Sequence, residues 1–129
     1  MNPSPEVTVA ICCYNASKYL PKLLDMLVKQ SCPMSWEILI VDNNSNDNSS
    51  SIINDFAKTS KIPVRYVQES KQGIPYARNR AIEESNDSTF LAFIDADELP
   101  DKNWLLTAID CLQTHSADCV GGEIDLDLS

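Results

Sequence analysis

Apolar residues along this chain alternate between short continuous runs and helical periods from one end to the other. Residues 7–12 form a β-rich apolar run, and 20–29 place Leu20, Leu23, Leu24, Leu27 and Val28 on one helical face. Pro21 suits the first turn of that helix, where its missing N–H leaves no hydrogen bond unmade. A second buried strand is predicted over 37–41, then a helix from about residue 49 that turns Ile52, Ile53, Phe56 and Ala57 inward. Residues 64–67 predict a third strand, and 74–84 a helix with Ile74, Ala77, Ala81 and Ile82 inward. The fourth strand, 89–94, is apolar throughout, as a central parallel strand should be. A helix over 103–112 packs Trp104, Leu105, Ala108, Ile109 and Leu112, and a fifth strand is expected over 118–122.

Such alternation predicts right-handed crossovers and a mainly parallel central sheet covered on both faces, a three-layer α/β/α fold. The length of 129 residues fits a single domain with one core. The tail, 123–128, alternates acidic and aliphatic residues and reads as an extended segment with Ile124, Leu126 and Leu128 on one unpartnered face. Five strands without a closing element make the domain read as cut short. Its open edge is expected to pair with a second copy or to fray.

Composition narrows the function. A net charge of −9 argues against nucleic-acid binding, which needs Lys and Arg to neutralise phosphates. It leaves room for a phosphate-bearing ligand, because a bound divalent metal inverts the local charge. The five cysteines, Cys12, Cys13, Cys32, Cys111 and Cys119, are odd in number and show no zinc spacing. Free, mostly buried thiols in a reducing cytoplasm are the simplest reading. No apolar run has the length of a membrane span. A full-length protein working at the inner face of a membrane would be carried there by something outside this chain.

The polar residues collect where the predicted strands end: Cys13-Tyr14-Asn15, Asp42 to Asp47, Gln68 to Gly73, and Asp95-Ala96-Asp97-Glu98. In open α/β sheets those ends form the ligand crevice. Any one such loop is ordinarily just turns and N-caps, as Asp47 or Ser49 would be before the second helix. Four converging on one sheet edge is a different matter. Asp95 and Asp97 project together from a rigid strand end, and a hard divalent cation offsets their repulsion. Mg²⁺ and Mn²⁺ typically take one or two protein carboxylates and complete their shell with diphosphate oxygens and water. In the Arg78-Asn79-Arg80 triplet, Arg80 reads as a solvated face, whereas Arg78 is placed to reach back over the sheet edge. Gly73 suits a positive-φ position. Tyr14 is equally able to stack on a flat ring or to pack under the first helix. No GxGxxG or GxxxxGK[ST] is present. The Asp42 loop fails as a calcium loop, with Asp47 where Gly is needed and Ile53 where Glu is needed. His115 reads as a cation at a helix C-terminus.

Taken in order, VTVAICCYN, ILIVDNNSND, GIPYARNRAI and FLAFIDADELP resemble the family-2 inverting glycosyltransferases of the GT-A fold, over about residues 7–122. The resemblance implies a donor site for a nucleotide-diphosphate sugar, UDP-linked first, with Mn²⁺ or Mg²⁺ as cofactor. It implies that Cys12, Cys13 and Tyr14 hold the base and that Asp42 accepts a hydrogen bond from its edge. Gly73 and Arg78 would cover the base or the diphosphate, Asp95 would contact the ribose, and Asp97 would ligate the metal. Cys12-Cys13 stand where the family often has Pro or Thr, and Asn43 stands where a second Asp is common. The catalytic base and most of the site for a carbohydrate or lipid-linked acceptor are expected outside this chain. Glu123, Asp125 and Asp127 come too early to be nominated.

Three other readings remain open at this point. A phosphoacceptor receiver domain shares the architecture but needs an acidic pair after strand one, where Cys13-Tyr14-Asn15 stand. A haloacid-dehalogenase-like phosphatase would place its nucleophile on the first strand and a Thr where Leu99 stands. The third is a catalytically idle donor-binding or interaction domain.

Overall fold

A computed structural model describes residues 4–119 and 121. Its elements run β1 (Val7–Cys13), α1 (Leu20–Leu27), β2 (Trp36–Asp42), α2 (Ser49–Thr59), β3 (Val64–Gln68), α3 (Ile74–Glu84), β4 (Phe90–Asp95) and α4 (Trp104–Thr114). All strand pairs are parallel, in the order β3-β2-β1-β4. The fifth strand expected over 118–122 runs into residues outside those described, and the tail 123–128 lies outside them altogether.

Topology dictates the layers. The chain steps outward from β1 to β2 to β3, and right-handed crossovers put α1 and α2 on one face. It then reverses direction to reach β4 on the far side of β1, which puts α3 on the opposite face. The two apolar clusters follow. Leu20, Leu23, Leu24 and Leu27 of α1, Ile53 of α2, and Leu105 and Ile109 of α4 pack on Val7, Val9, Ile11, Ile38 and Ile40. Ala77 and Ala81 of α3 pack on Ala10, Leu39 and Val41. The expected three-layer α/β/α fold is observed.

Three expectations need correction, the first being Ala57 of α2, which is exposed and not turned inward. Ile74 and Ile82 do not turn inward on α3; they are 66% and 54% exposed, while Ala77 and Ala81 are buried. Positions 77 and 81 lie four apart on one face, and 82 is rotated about 100° from 81. Small alanines let the helix lie close on the sheet, so the bulky residues are left on its flanks. β4 is also not central among the described strands. β1 and β2 carry that role with nearly continuous burial, whereas Phe93 of β4 is 41% exposed.

An ion pair between a buried carboxylate and a partly exposed guanidinium fixes the other end of the sheet. Glu37, 5% exposed, receives Nε and Nη2 of Arg65 at 2.8 and 2.9 Å and the Thr8 hydroxyl at 2.8 Å. Arg65 Nη2 also donates to the Glu84 carbonyl at 2.7 Å, tying the C-terminal turn of α3 to the sheet. Arg65→Met removes both charged donors from a carboxylate that stays out of water. It should destabilise the domain by about 3 kcal/mol in urea unfolding; a loss under about 1 kcal/mol would mean that water replaces the guanidinium.

Candidate functional site

The strand register brings the four polar loops to one edge. Cys13 pairs with Asp42 across β1 and β2, and Cys12 pairs with Asp95 across β1 and β4. The gap between β1 and β4 is where the strand order reverses, the usual crevice of an open α/β sheet. A cavity of about 310 Å³ opens there, lined by Cys12, Tyr14, Asn15, Ala16, Tyr19, Ile74, Arg78, Asp95, Ala96 and Asp97. Five residues expected from the sequence therefore meet in one cleft: Cys12, Tyr14, Arg78, Asp95 and Asp97. Tyr14 is half exposed, so its ring is presented to the cleft and not packed under α1.

Both carboxylates of the Asp95-Ala96-Asp97 step are exposed, and neither forms a salt bridge among the described residues. A tight turn presents them: Glu98 N donates to the Asp95 carbonyl at 3.0 Å, and Glu98 Oε1 accepts the Asp95 N–H at 2.8 Å. Two uncommitted oxygen donors in a cleft open to solvent fit a hard divalent cation that finishes its shell with phosphate and water. No cluster of three or more metal-ligating side chains occurs among the described residues, so protein ligands alone would not close such a shell. Arg78 is exposed on the opposite wall and supplies the cleft's positive charge.

Alternation along β1 separates the two cysteines. Cys12 lines the cleft; burial pushes its thiol up to about 11, with Arg78 opposing and Asp95 adding to the rise. Cys13 is 2% exposed in the core on the α1 side, and burial, then the Asp42 charge, pushes its thiol up to about 12. Both stay protonated at neutral pH and are poor nucleophiles. Of Cys13, only the main chain is turned to neighbouring loops, its carbonyl accepting Asn43 N–H at 2.8 Å. The thiols are not mostly buried as expected: only Cys13 is buried, Cys12, Cys32 and Cys111 are partly exposed and Cys119 is exposed.

Asp42 lies apart from the cleft. It is 3% exposed, with Oδ1 accepting Ser45 N–H at 3.0 Å and Oδ2 accepting the Tyr66 hydroxyl at 2.6 Å. Burial first, then this bond, raises the Tyr66 phenol to about 12. Asp42 borders a second cavity of about 310 Å³, with Asn44, Ser45, Gln68, Glu69, Ser70 and Arg80. Arg80, expected on a solvated face, is instead partly buried there and lies 3.8 Å from Glu69 and 3.5 Å from Glu84.

These loops are tied together by side chains whose sequence pattern marks them only as turn and cap formers. Asn15, at φ 48°, takes Ser45 Oγ on its N–H at 2.9 Å and offers Oδ1 to Asn46 N–H at 2.8 Å. Neither Asp47 nor Ser49 is the N-cap of α2, which is Asn48 without a side-chain capping bond; Asp47 instead bridges two loops, Oδ2 accepting Ser17 N–H at 3.1 Å from the loop after β1. Its Oδ1 accepts the Ser49 hydroxyl and N–H at 2.6 and 3.0 Å. The signal was the density of Asn and Asp after two successive strands, which sequence alone assigns to turns.

Bonding from the Ser49 hydroxyl, then from the Ser49 and Ser17 amides, holds the Asp47 carboxyl down at about 2. A depressed carboxyl contributes stability above the ordinary carboxylate range and loses it as pH falls through its folded value. The Ser17 and Ser49 amide resonances should therefore shift with a midpoint near 2, not at the value of about 4 normal for aspartate. A midpoint near 4 in an NMR titration would show that the bridge between the two loops is absent in solution.

Sheet order, a crevice at the strand reversal and a cleft that brings two free carboxylates together with an arginine define an open α/β domain with its polar groups gathered at the strand ends. The family model for glycosyl transferase family 2 matches residues 8–128, and the chain belongs to that family. Glycosyltransferase AglE of Haloferax volcanii is 33% identical over 122 residues, 94% of this chain and 40% of that protein. Poly(ribitol-phosphate) beta-N-acetylglucosaminyltransferase TarS of Staphylococcus aureus is 28% identical over 88% of this chain and 20% of its own length. The chain thus spans well under half of these relatives. The crystal structure of TarS 1–349 with UDP superposes with a TM-score of 0.75 at 27% identity, over 86% of this chain and 33% of that one. A TarS structure holding UDP-GlcNAc gives 0.72 at 27% identity, over 86% and 32% of the two chains. Mannosyltransferase PcManGT from Pyrobaculum calidifontis, with GDP-Man and Mn²⁺, gives 0.74 at 27% identity, over 84% and 32%. The fold expected from the sequence is the fold of these enzymes.

Proposed function

We propose that this chain forms the donor-binding side of a metal-dependent, inverting glycosyltransferase. It takes a nucleotide-diphosphate sugar, a UDP-sugar first, and the acceptor is a hydroxyl of a carbohydrate or a lipid-linked carbohydrate. The observation that carries this reading is the meeting of Tyr14, Arg78, Asp95 and Asp97 in one cleft at the strand reversal. The nucleotides and the Mn²⁺ held by the similar structures support it.

Within that reading, Tyr14 stacks on the base, and the main chain at Cys12 and Cys13 borders it. Asp42, its oxygens each already holding one donor, accepts a further hydrogen bond from the base edge through a remaining lone pair. The Gly73 turn and Arg78 cover the base or diphosphate, and Asp95 accepts from the ribose hydroxyls. Asp97 holds Mn²⁺ or Mg²⁺, which when bound supplies Lewis-acid neutralisation of the departing diphosphate. The five free thiols favour a reducing, cytoplasmic setting.

Calorimetric titration with UDP, GDP and dTDP, each with and without Mn²⁺, tests the proposal. Binding that requires the cation, strongest for UDP, is the expected result. Heat-silent titrations at millimolar nucleotide with Mn²⁺ present would end it.

A further inference from the structure

Asn43 follows Asp42 at the end of β2 and is 5% exposed. Its Nδ2 donates to the Lys71 carbonyl at 2.7 Å and the Glu69 carbonyl at 3.2 Å, and its Oδ1 accepts Gly73 N–H at 2.9 Å. All three partners are main-chain groups of the loop between β3 and α3. Two carbonyls need donors and one N–H needs an acceptor, and a primary amide offers both from one planar group. A carboxylate in the same place would face two carbonyl oxygens with no proton to give.

The loop is tied further. Glu69 N–H donates to the Asp42 carbonyl at 2.9 Å, and Lys71 N–H donates to Glu69 Oε2 at 3.0 Å. Its last residue, Gly73, sits at φ +143°, where a Cβ would lie 3.1 Å from the Tyr76 ring. The Gly73 carbonyl accepts Tyr76 and Ala77 N–H at 3.1 and 3.2 Å, which starts α3. The amide that fixes Gly73 therefore also fixes where α3 begins, and α3 carries Ile74 and Arg78 to the cleft.

We propose that Asn43 is a positioning residue for nucleotide recognition: its side-chain amide locks the 69–73 loop so that α3 presents Arg78 to the bound nucleotide. The function of this clamp rests on the donor-site reading above.

Asn43→Asp keeps the side-chain volume and removes both donors, and Asn54→Asp, exposed on α2, carries the same charge change as a control. One measurement needs no ligand. Asp keeps an acceptor for Gly73 N–H, but its carboxylate is repelled by the Glu69 and Lys71 carbonyls, so the loop should move off it and amide hydrogen exchange at Gly73 should speed up roughly tenfold in Asn43→Asp and stay unchanged in Asn54→Asp. The second is UDP affinity with Mn²⁺ for the wild type, Asn43→Asp, Arg78→Ala and the double variant. Asn43→Asp should bind about tenfold more weakly. The double variant should be no weaker than Arg78→Ala alone, because both changes remove the same contact. Should Asn43→Asp fail to fold, the uncharged Asn43→Ser should move both readouts in the same direction. Unaltered Gly73 exchange, or losses that simply add in the double variant, would overturn the proposal. Absence of UDP binding by the wild type would instead sink the donor-site reading, with Gly73 exchange still deciding the clamp.

Discussion

Replacing Asp97 by Asn should abolish most of the metal-dependent part of nucleotide binding while leaving the fold intact. The side chain is exposed and makes no salt bridge among the described residues, so the amide fits where the carboxylate stood. The ion is a different matter. The cleft holds two carboxylates, Asp95 and Asp97, and a diphosphate is repelled by both unless a cation joins them. Altering even an outer-shell partner typically lowers metal affinity by 10–100-fold, so loss of a direct ligand should weaken Mn²⁺-dependent UDP binding by roughly a hundredfold or more. Binding measured without metal should hardly change. Asp42→Ala makes the contrast, expected to weaken UDP with or without metal because the role proposed for it is with the base. It should also destabilise the protein by about 1–3 kcal/mol, since the Tyr66 hydroxyl and Ser45 N–H lose their acceptor. Calorimetry with and without Mn²⁺, paired with urea unfolding, separates the two. Equal, metal-independent losses for both variants would show that the roles are misassigned.

How far the sequence reached follows from what its patterns encode. Continuous apolar runs and period-3.6 burial are local signals, so β1, β2, α1 and α4 were found within a few residues of their observed ends. The flank position of Ile74 was not legible, because an apolar side chain lining a cleft looks the same in sequence as one in a core, and Ile82 is simply an exposed apolar residue on the helix flank. Residues at strand ends were correctly brought to one edge, since parallel topology puts every such end there. What sequence order lacks is the parity of each strand. One residue's difference in register turns Cys12 toward Asp95 and the cleft, and Cys13 toward Asp42 and the core. That parity is why Asp42 lies beside Tyr66 and a second cavity, away from Asp95 and Asp97. Clamps such as Asn43 and Asp47 were invisible for another reason: their partners are backbone groups of other loops, which carry no sequence signature.

Sugar transfer by these 129 residues alone should be negligible, with slow donor hydrolysis at most. In an inverting displacement the acceptor oxygen forms its bond to the anomeric carbon as the bond to the diphosphate oxygen breaks. The hydroxyl proton must leave during that attack, and a positioned carboxylate typically contributes roughly 10²–10⁴-fold by taking it. The only carboxylates lining the cleft among the described residues are Asp95 and Asp97. Asp95 ends β4 and Asp97 lies in the turn just after it, and in the proposed function they serve the ribose and the metal, on the leaving-group side. Neither is free to act as base on the opposite face of the sugar without giving up that role. Donor binding and donor turnover should therefore separate: UDP-sugar binds in the presence of Mn²⁺, while UDP release in a coupled assay stays near the uncatalysed background with simple sugar acceptors. Robust transfer would overturn this, and Glu123, outside the described residues, would become the first carboxylate to replace by Gln.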